Sequence, residues 1–176
     1  MLFMALGYGS LMSFAELYGS ELGIANASLF FPTYAVGYLL AGLFSGRLFD
    51  RRGPRLTVGA GLGLLTLSCA ALGLSQSAVS FFAAVLGQGL GYGMVSNAAL
   101  AMAVNLAPPS RRGAATAMVF VLFNVGITVS TPLLGWVAQT TGSYARMFQV
   151  VAGLMLLATV VSFTVILPRY AQRHSL

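Results

Sequence analysis

No lysine occurs in this chain, and histidine, cysteine and tryptophan each occur once. Acidic residues are limited to Glu16, Glu21 and Asp50. Charged residues of both signs make up 7% of the sequence, against about 25% in soluble domains, so a surface wetted all round is excluded. The single cysteine, Cys69, lies in an apolar run; it offers neither a disulfide nor a metal pair and reads as a packed core residue. His174 sits in the polar C-terminal stretch, and no two carboxylates share a plausible site. Without a catalytic constellation an enzyme is not expected, and no cofactor or metal is implied. The N-terminus lacks a basic leader and a small-residue cleavage site, so it reads as a retained membrane helix.

What fills the sequence instead is hydrocarbon. It is 58% hydrophobic with a mean hydropathy of +0.88. Residues 1–15, 22–46, 56–110, 113–145 and 147–168 contain no Asp, Glu, Lys or Arg. A helix needs roughly 20 apolar residues to cross a bilayer core of about 30 Å. Four of these intervals suffice for at least one crossing, and 56–110 suffices for two. The expected fold class is an all-α membrane protein with six transmembrane helices, at about 2–17 or slightly beyond, 28–46, 55–74, 81–105, 113–139 and 146–167. "SQSAVS" (75–80) supplies the turn that divides the longest interval. Pro108 and Pro109 close the fourth helix and Pro168 the sixth. Residues 1–168 thus form one bundle, and 169–176 a short tail.

The arginines set an orientation. Nine of them, against three acids, give a formal net charge of +6, but they form no stripe interleaved with aromatics, so nucleic-acid binding is not expected. They gather at the ends of apolar runs. Arg47, Arg51, Arg52, Arg55, Arg111, Arg112, Arg169 and Arg173 fall on one side of the predicted bundle, and Arg146 alone on the other. Arginine-rich loops are cytoplasmic, which places both termini in the cytoplasm, in a membrane of the bacterial inner-membrane type. Arg111 and Arg112 lie at a helix amino terminus, where the macrodipole is already positive. Asp50 is the one acid expected on that face, so it is the candidate to dock against a helix amino terminus or an arginine there.

Polar residues inside a membrane usually face the protein interior or a water-filled cavity. The first helix carries Met4, Tyr8, Met12 and Glu16 at spacing four; the fourth carries Gln88, Tyr92 and Ser96, with Asn97 alongside; the fifth carries Asn124, Thr128 and Thr131. These helices are expected to line something polar, and the third and sixth to face lipid. Tyr8, Met12, Glu16, Gln88, Tyr92, Ser96, Asn97 and Asn124 are the candidate cavity-lining residues; packing and interhelical hydrogen bonding are the competing roles. Glu16 reads either as a carboxylate that carries a proton during transport or as an acid reaching the outer interface. "GQGLGYG" (87–93) lacks the preceding strand and following lysine of a phosphate loop. It reads as close helix packing, for which Gly42 and Gly46 form a further candidate pair.

Five of the twelve charged residues crowd into "GRLFDRRGPR" (46–55). This segment resembles the signature loop of the major facilitator superfamily, G-x-L-a-D-R-x-G-R-[KR]. Gly46, Leu48, Asp50, Arg51, Gly53 and Arg55 fall on matching positions, and Pro54 departs. "PPSRRGAATA" (108–117) is similar to that family's loop between the fourth and fifth helices of a half, and the region around 16–53 to the start of a C-terminal half. The resemblance implies half of a twelve-helix secondary transporter or permease. A small solute would be held between two six-helix halves, with the first and fourth helices of each lining the cavity. It further implies a conformational latch at Gly46, Asp50, Arg51, Gly53 and Arg55, with Arg111 and Arg112 on the neighbouring loop. "GITVSTPLLGW" (126–136) is faintly similar to the antiporter element of exporters, matching at Pro132 and Gly135; proton-coupled efflux is the expected mode. Six helices are one wall of a cavity, so a second half, from this or another chain, is an expected partner beside the bilayer, the solute and H+. The alternative is a transport-incompetent remnant or scaffold.

Overall fold

The computed structural model describes residues 2–166; Pro168, Arg169, Arg173 and His174 lie outside them. The described residues are almost wholly helical: α1 (Leu2–Glu21), α2 (Phe30–Gly73), α3 (Ala78–Leu106), α4 (Arg112–Thr141) and α5 (Tyr144–Val161). Short 3-10 turns at Ala27–Leu29 and Pro109–Arg111 lead into α2 and α4, and a π turn, Ser162–Ile166, follows α5.

Among the described residues, four stretches are long and apolar enough to cross a membrane: Ala27–Gly73, Ala78–Leu106, Pro109–Thr141 and Tyr144–Thr164. The first has 47 residues, about 70 Å if straight, more than twice the bilayer core. It is not straight. Gly53 adopts φ 79° and ψ 173°, a backbone region open essentially to glycine alone. Pro54 follows, where its fixed φ and missing N–H suit the first turn of a new helix. The Thr57 hydroxyl donates to the Gly53 carbonyl at 3.2 Å. The segment expected as a loop is therefore helical on both sides of one residue. Arg47, Arg51 and Arg52 are exposed, and nothing in their chemistry forces the helix to stop before the glycine.

Packing on α3 fixes the direction of the two limbs, residues 30–52 and 54–73. Gly89 lies against the Tyr34 carbonyl and Gly93 against Ala41, while Asn97 Nδ2 donates to Ser45 Oγ at 2.9 Å. Numbers rise together, so the first limb runs parallel to α3. Gly87 lies against Ser68 and Gly91 against Leu65 and the Gly61 carbonyl; here the numbers oppose and the second limb runs antiparallel. The chain reverses at Gly53, and α3 is clasped between the limbs. Alternate glycines of "GQGLGYG" serve opposite neighbours, bringing backbones closer than any side chain would allow. Gly42 and Gly46 face open space: their expected close packing is not found among the described residues, and the close approaches are made through Gly37 and Gly61 instead.

The remaining helices close around this unit. Along α5, Gln149 Nε2 donates to the Gly73 carbonyl at 3.2 Å and Thr159 meets Thr66 at 3.5 Å, an antiparallel pairing with the second limb. Along α4, Ser130 meets the Ala5 carbonyl and Gly135 faces Phe14, so α1 and α4 run parallel. The helix ends carry local signals. Ser77 and Ser80 form a reciprocal capping box that starts α3. Gly142 at φ 62° ends α4, and Ala107, extended before Pro108, ends α3. Two apolar clusters fill the interior. One gathers Leu11, Tyr18, Leu72, Phe81, Phe148 and Met155 toward the arginine-poor end; the other gathers Met4, Leu62, Leu65 and Val95 toward the arginine-rich end. Tyr92 packs against both.

Candidate functional site

Tyr92 stands fourteen residues from either end of α3 and so at the bundle's half-height. Around it the helices converge with phenol rings. Tyr8 of α1 lies 5.2 Å away between ring centroids, Tyr38 of the first α2 limb 5.8 Å and Tyr34 6.1 Å. Phe123 of α4 lies 5.5 Å from Tyr92 and 5.4 Å from Tyr8. Tyr34 and Tyr38 sit four apart on one helix face and stack at 18°. Four of the chain's seven tyrosines thus meet in one cluster from three helices. Tyr34 is 7% exposed. Its hydroxyl is the one buried side-chain polar atom without a hydrogen-bond partner among the described residues. Tyr8 and Tyr92 are half-buried and Tyr38 is 38% exposed, which leaves one edge of the cluster open.

The sequence singles out Tyr8 and Tyr92, and the structure brings them together. It does not single out Tyr34, Tyr38 or Phe123, although the spacing of four between Tyr34 and Tyr38 carried the same signal. Beside the cluster, Gln88 is enclosed at 2% exposure. Its Nε2 donates to Cys69 Sγ at 3.3 Å and to the Gly7 carbonyl at 3.5 Å. Ser96 is buried and donates to the Gly93 carbonyl, and Asn97 is half-buried on Ser45. Gln88 and Asn97 hold α3 to its neighbours, whereas the Ser96 bond stays within α3. Met12 is half-buried on α1, and Glu16 is exposed one turn further on.

Asn124 is exposed on α4, with its amide donating to the Phe120 carbonyl at 2.8 Å. It lines an open groove of about 410 Å³ with Phe120, Val121, Val125, Thr128 and Val129. A smaller cleft of about 280 Å³ opens at the arginine-poor end, bounded by Phe14, Glu21, Gly135, Gln139 and Tyr144. At the opposite end Asp50, Arg51, Arg55, Arg111 and Arg112 are all exposed, with Gly46 beside them and Gly53 at the reversal.

Comparison with known proteins adds a family to this geometry. The sequence matches the family model of the Major Facilitator Superfamily over residues 1–176. An uncharacterized MFS-type transporter of Mycobacterium tuberculosis is 35% identical over 98 residues, 54% of this chain and 17% of the relative. One from Pseudomonas aeruginosa is 30% identical over 138 residues, 78% of this chain and 34% of the relative. One from Burkholderia mallei is 30% identical over 172 residues, 94% of this chain and 40% of the relative. The chain spans less than half the length of each of these relatives.

Proposed function

This chain belongs to the major facilitator superfamily, and from that premise we propose that it serves as one half of a secondary transporter for a small solute. In this reading six passes cross the bilayer: α1, the two limbs of α2, α3, α4 and α5. A second six-helix half completes the cavity, and alternating access moves the two halves about the bound solute. The family supports membrane transport in general and an integral membrane location.

The observation that carries the reading is the tyrosine cluster at half-height. Transporter sites lie near the bilayer midplane, where halves meet, and here four phenols from three helices gather beside the buried Gln88. Flux in proteoliposomes, measured with the oligomeric state in detergent, tests it. Transport by a homodimer or by a complex with a second half supports the proposal; a strict monomer without flux leaves the remnant or scaffold reading.

Three finer elements belong to the same proposal. The arginine-rich end faces the cytoplasm. Labelling of residues 22–33 by an impermeant reagent only from inside the cell would invert that orientation. Asp50 acts as a latch across the cytoplasmic face, with Arg111 or Arg112 or a helix amino terminus of the second half. A double-mutant cycle between Asp50 and each arginine measures the coupling, and its absence removes those pairings. Glu16 carries the proton that drives efflux. Glu16→Gln is expected to abolish flux driven by a pH gradient, and undiminished flux removes that role.

A further inference from the structure

We propose that the tyrosine cluster selects uncharged aromatic solutes bearing a hydrogen-bond acceptor; this rests on the solute-holding role given above. The geometry points to the aromatic part first. Tyr8, Tyr34, Tyr38 and Tyr92 present rings whose centroids lie 5.2 to 6.5 Å apart. Offset and edge-on arrangements at such distances are how aromatic faces attract one another. Tyr38 is exposed at the rim while Tyr34 lies buried behind it. A flat ring entering from that edge meets aromatic faces before it meets aliphatic ones.

The acceptor follows from Tyr34. A buried phenol normally finds a partner, and this one has none among the described residues. Its ring is held between those of Tyr8, Tyr38 and Tyr92, so the hydroxyl is fixed in place. That hydroxyl is closed off from the surface here. A carbonyl or ether oxygen on a bound solute would accept its proton once the rim at Tyr38 gives way to the incoming ring. The gain is specific, because a solute lacking the oxygen leaves the donor unpaired.

Charge decides the last property. Aromatic faces also attract cations, but a cation at this depth needs a carboxylate beside it. Along α1, Glu16 is eight residues beyond Tyr8, about 12 Å of helical rise. Along the first α2 limb, Asp50 is twelve residues beyond Tyr38, about 18 Å. An anion fares no better: Arg47, the nearest base along that limb, is nine residues from Tyr38, about 14 Å. No acidic or basic side chain belongs to the cluster, so this chain offers an ion of either sign no counter-charge there.

Three probes of one shape separate these cases: benzamide, benzamidinium and benzoate. Their binding to the protein in lipid nanodiscs is read by saturation-transfer NMR. Benzamide is expected to give transfer to its ring protons, and the two ions little or none. Tyr34→Phe is expected to weaken benzamide binding about fivefold, the worth of one hydrogen bond, whereas Tyr38→Phe keeps it. Because Tyr34→Phe removes an unpartnered hydroxyl, the ligand-free variant should melt no lower than the wild type. An absent benzamide signal, an unchanged affinity in Tyr34→Phe, equal losses in both variants, or an ion binding as well as benzamide would each overturn the proposal. Benzamide binding without any solute flux defeats the transport reading and leaves this selectivity standing. Flux of a charged solute without benzamide binding does the reverse.

Discussion

α3 and α4 are similar in length, 29 and 30 residues, yet they stand in opposite situations. The first is gripped on two sides by the limbs of α2, glycine to carbonyl, and its polar residues Gln88 and Asn97 are consumed in holding it there. The second is attached by a narrow seam of Gly126, Ser130, Leu134 and Ala138, spaced four apart, and turns most of its surface outward. Phe120, Val125, Val129, Leu133 and Trp136 are all exposed, and so are the polar Asn124 and Thr128. Lipid suits the apolar residues but not the polar ones. The contrast separates a helix that builds the half from one that offers a surface to something else, and a second half is the occupant proposed here.

Four substitutions probe that contrast, beginning with the most damaging. Gly91→Leu pushes a side chain into the Gly61 carbonyl and Leu65, both under 3 Å from the position its Cβ would take. A loss of about 3 kcal/mol or more is expected, seen as failure to melt cooperatively in detergent; mild destabilisation would mean α3 is held less firmly than described. Gly53→Ala places a Cβ on a backbone at φ 79°, with an expected loss of about 2 kcal/mol in the same thermal measurement. Ser77→Ala removes the capping box of α3 and should cost about 1 kcal/mol, whereas the start of α4 has no side-chain cap to lose. Val125→Phe enlarges an exposed α4 residue and should leave stability within about 0.5 kcal/mol. If α4 meets a second half, this last variant still lowers proteoliposome flux, and unchanged flux would mean the groove beside Asn124 faces lipid.

Much of this arrangement could be read from residue order. The turn at 75–80 and the proline stop at 108–109 both mark helix ends that are observed, whereas the apolar intervals that end at 46 and begin at 56 stop inside α2. Charge spacing alone located the loop whose reversal organises the fold. What could not be read was how little of that loop is loop. Arginines tolerate helix and solvent equally, and only the backbone of Gly53 reveals where the chain turns. The glycines divided in the same way. Gly42 and Gly46 have the spacing of a packing pair and no close neighbour among the described residues, while the alternate glycines of α3 work in two directions at once. Spacing reports which residues share a face, not which face finds a partner within the chain. For that reason Tyr34 and Tyr38 passed unnoticed: their significance lies in rings contributed by α1 and α3, far away in sequence.

The turn at Gly53 has a mechanical consequence. A flexible tether between two rods absorbs displacement, but a hinge one residue long leaves no slack to absorb it. The first limb, residues 30–52, is a lever about 34 Å long by its helical rise. Any tilt that an outer partner imposes near Phe30 must be passed through that single pivot or taken up by the grip on α3. Arg51, Arg52 and Arg55 flank the pivot, so three of the chain's nine arginines sit at its most kinematically exposed point.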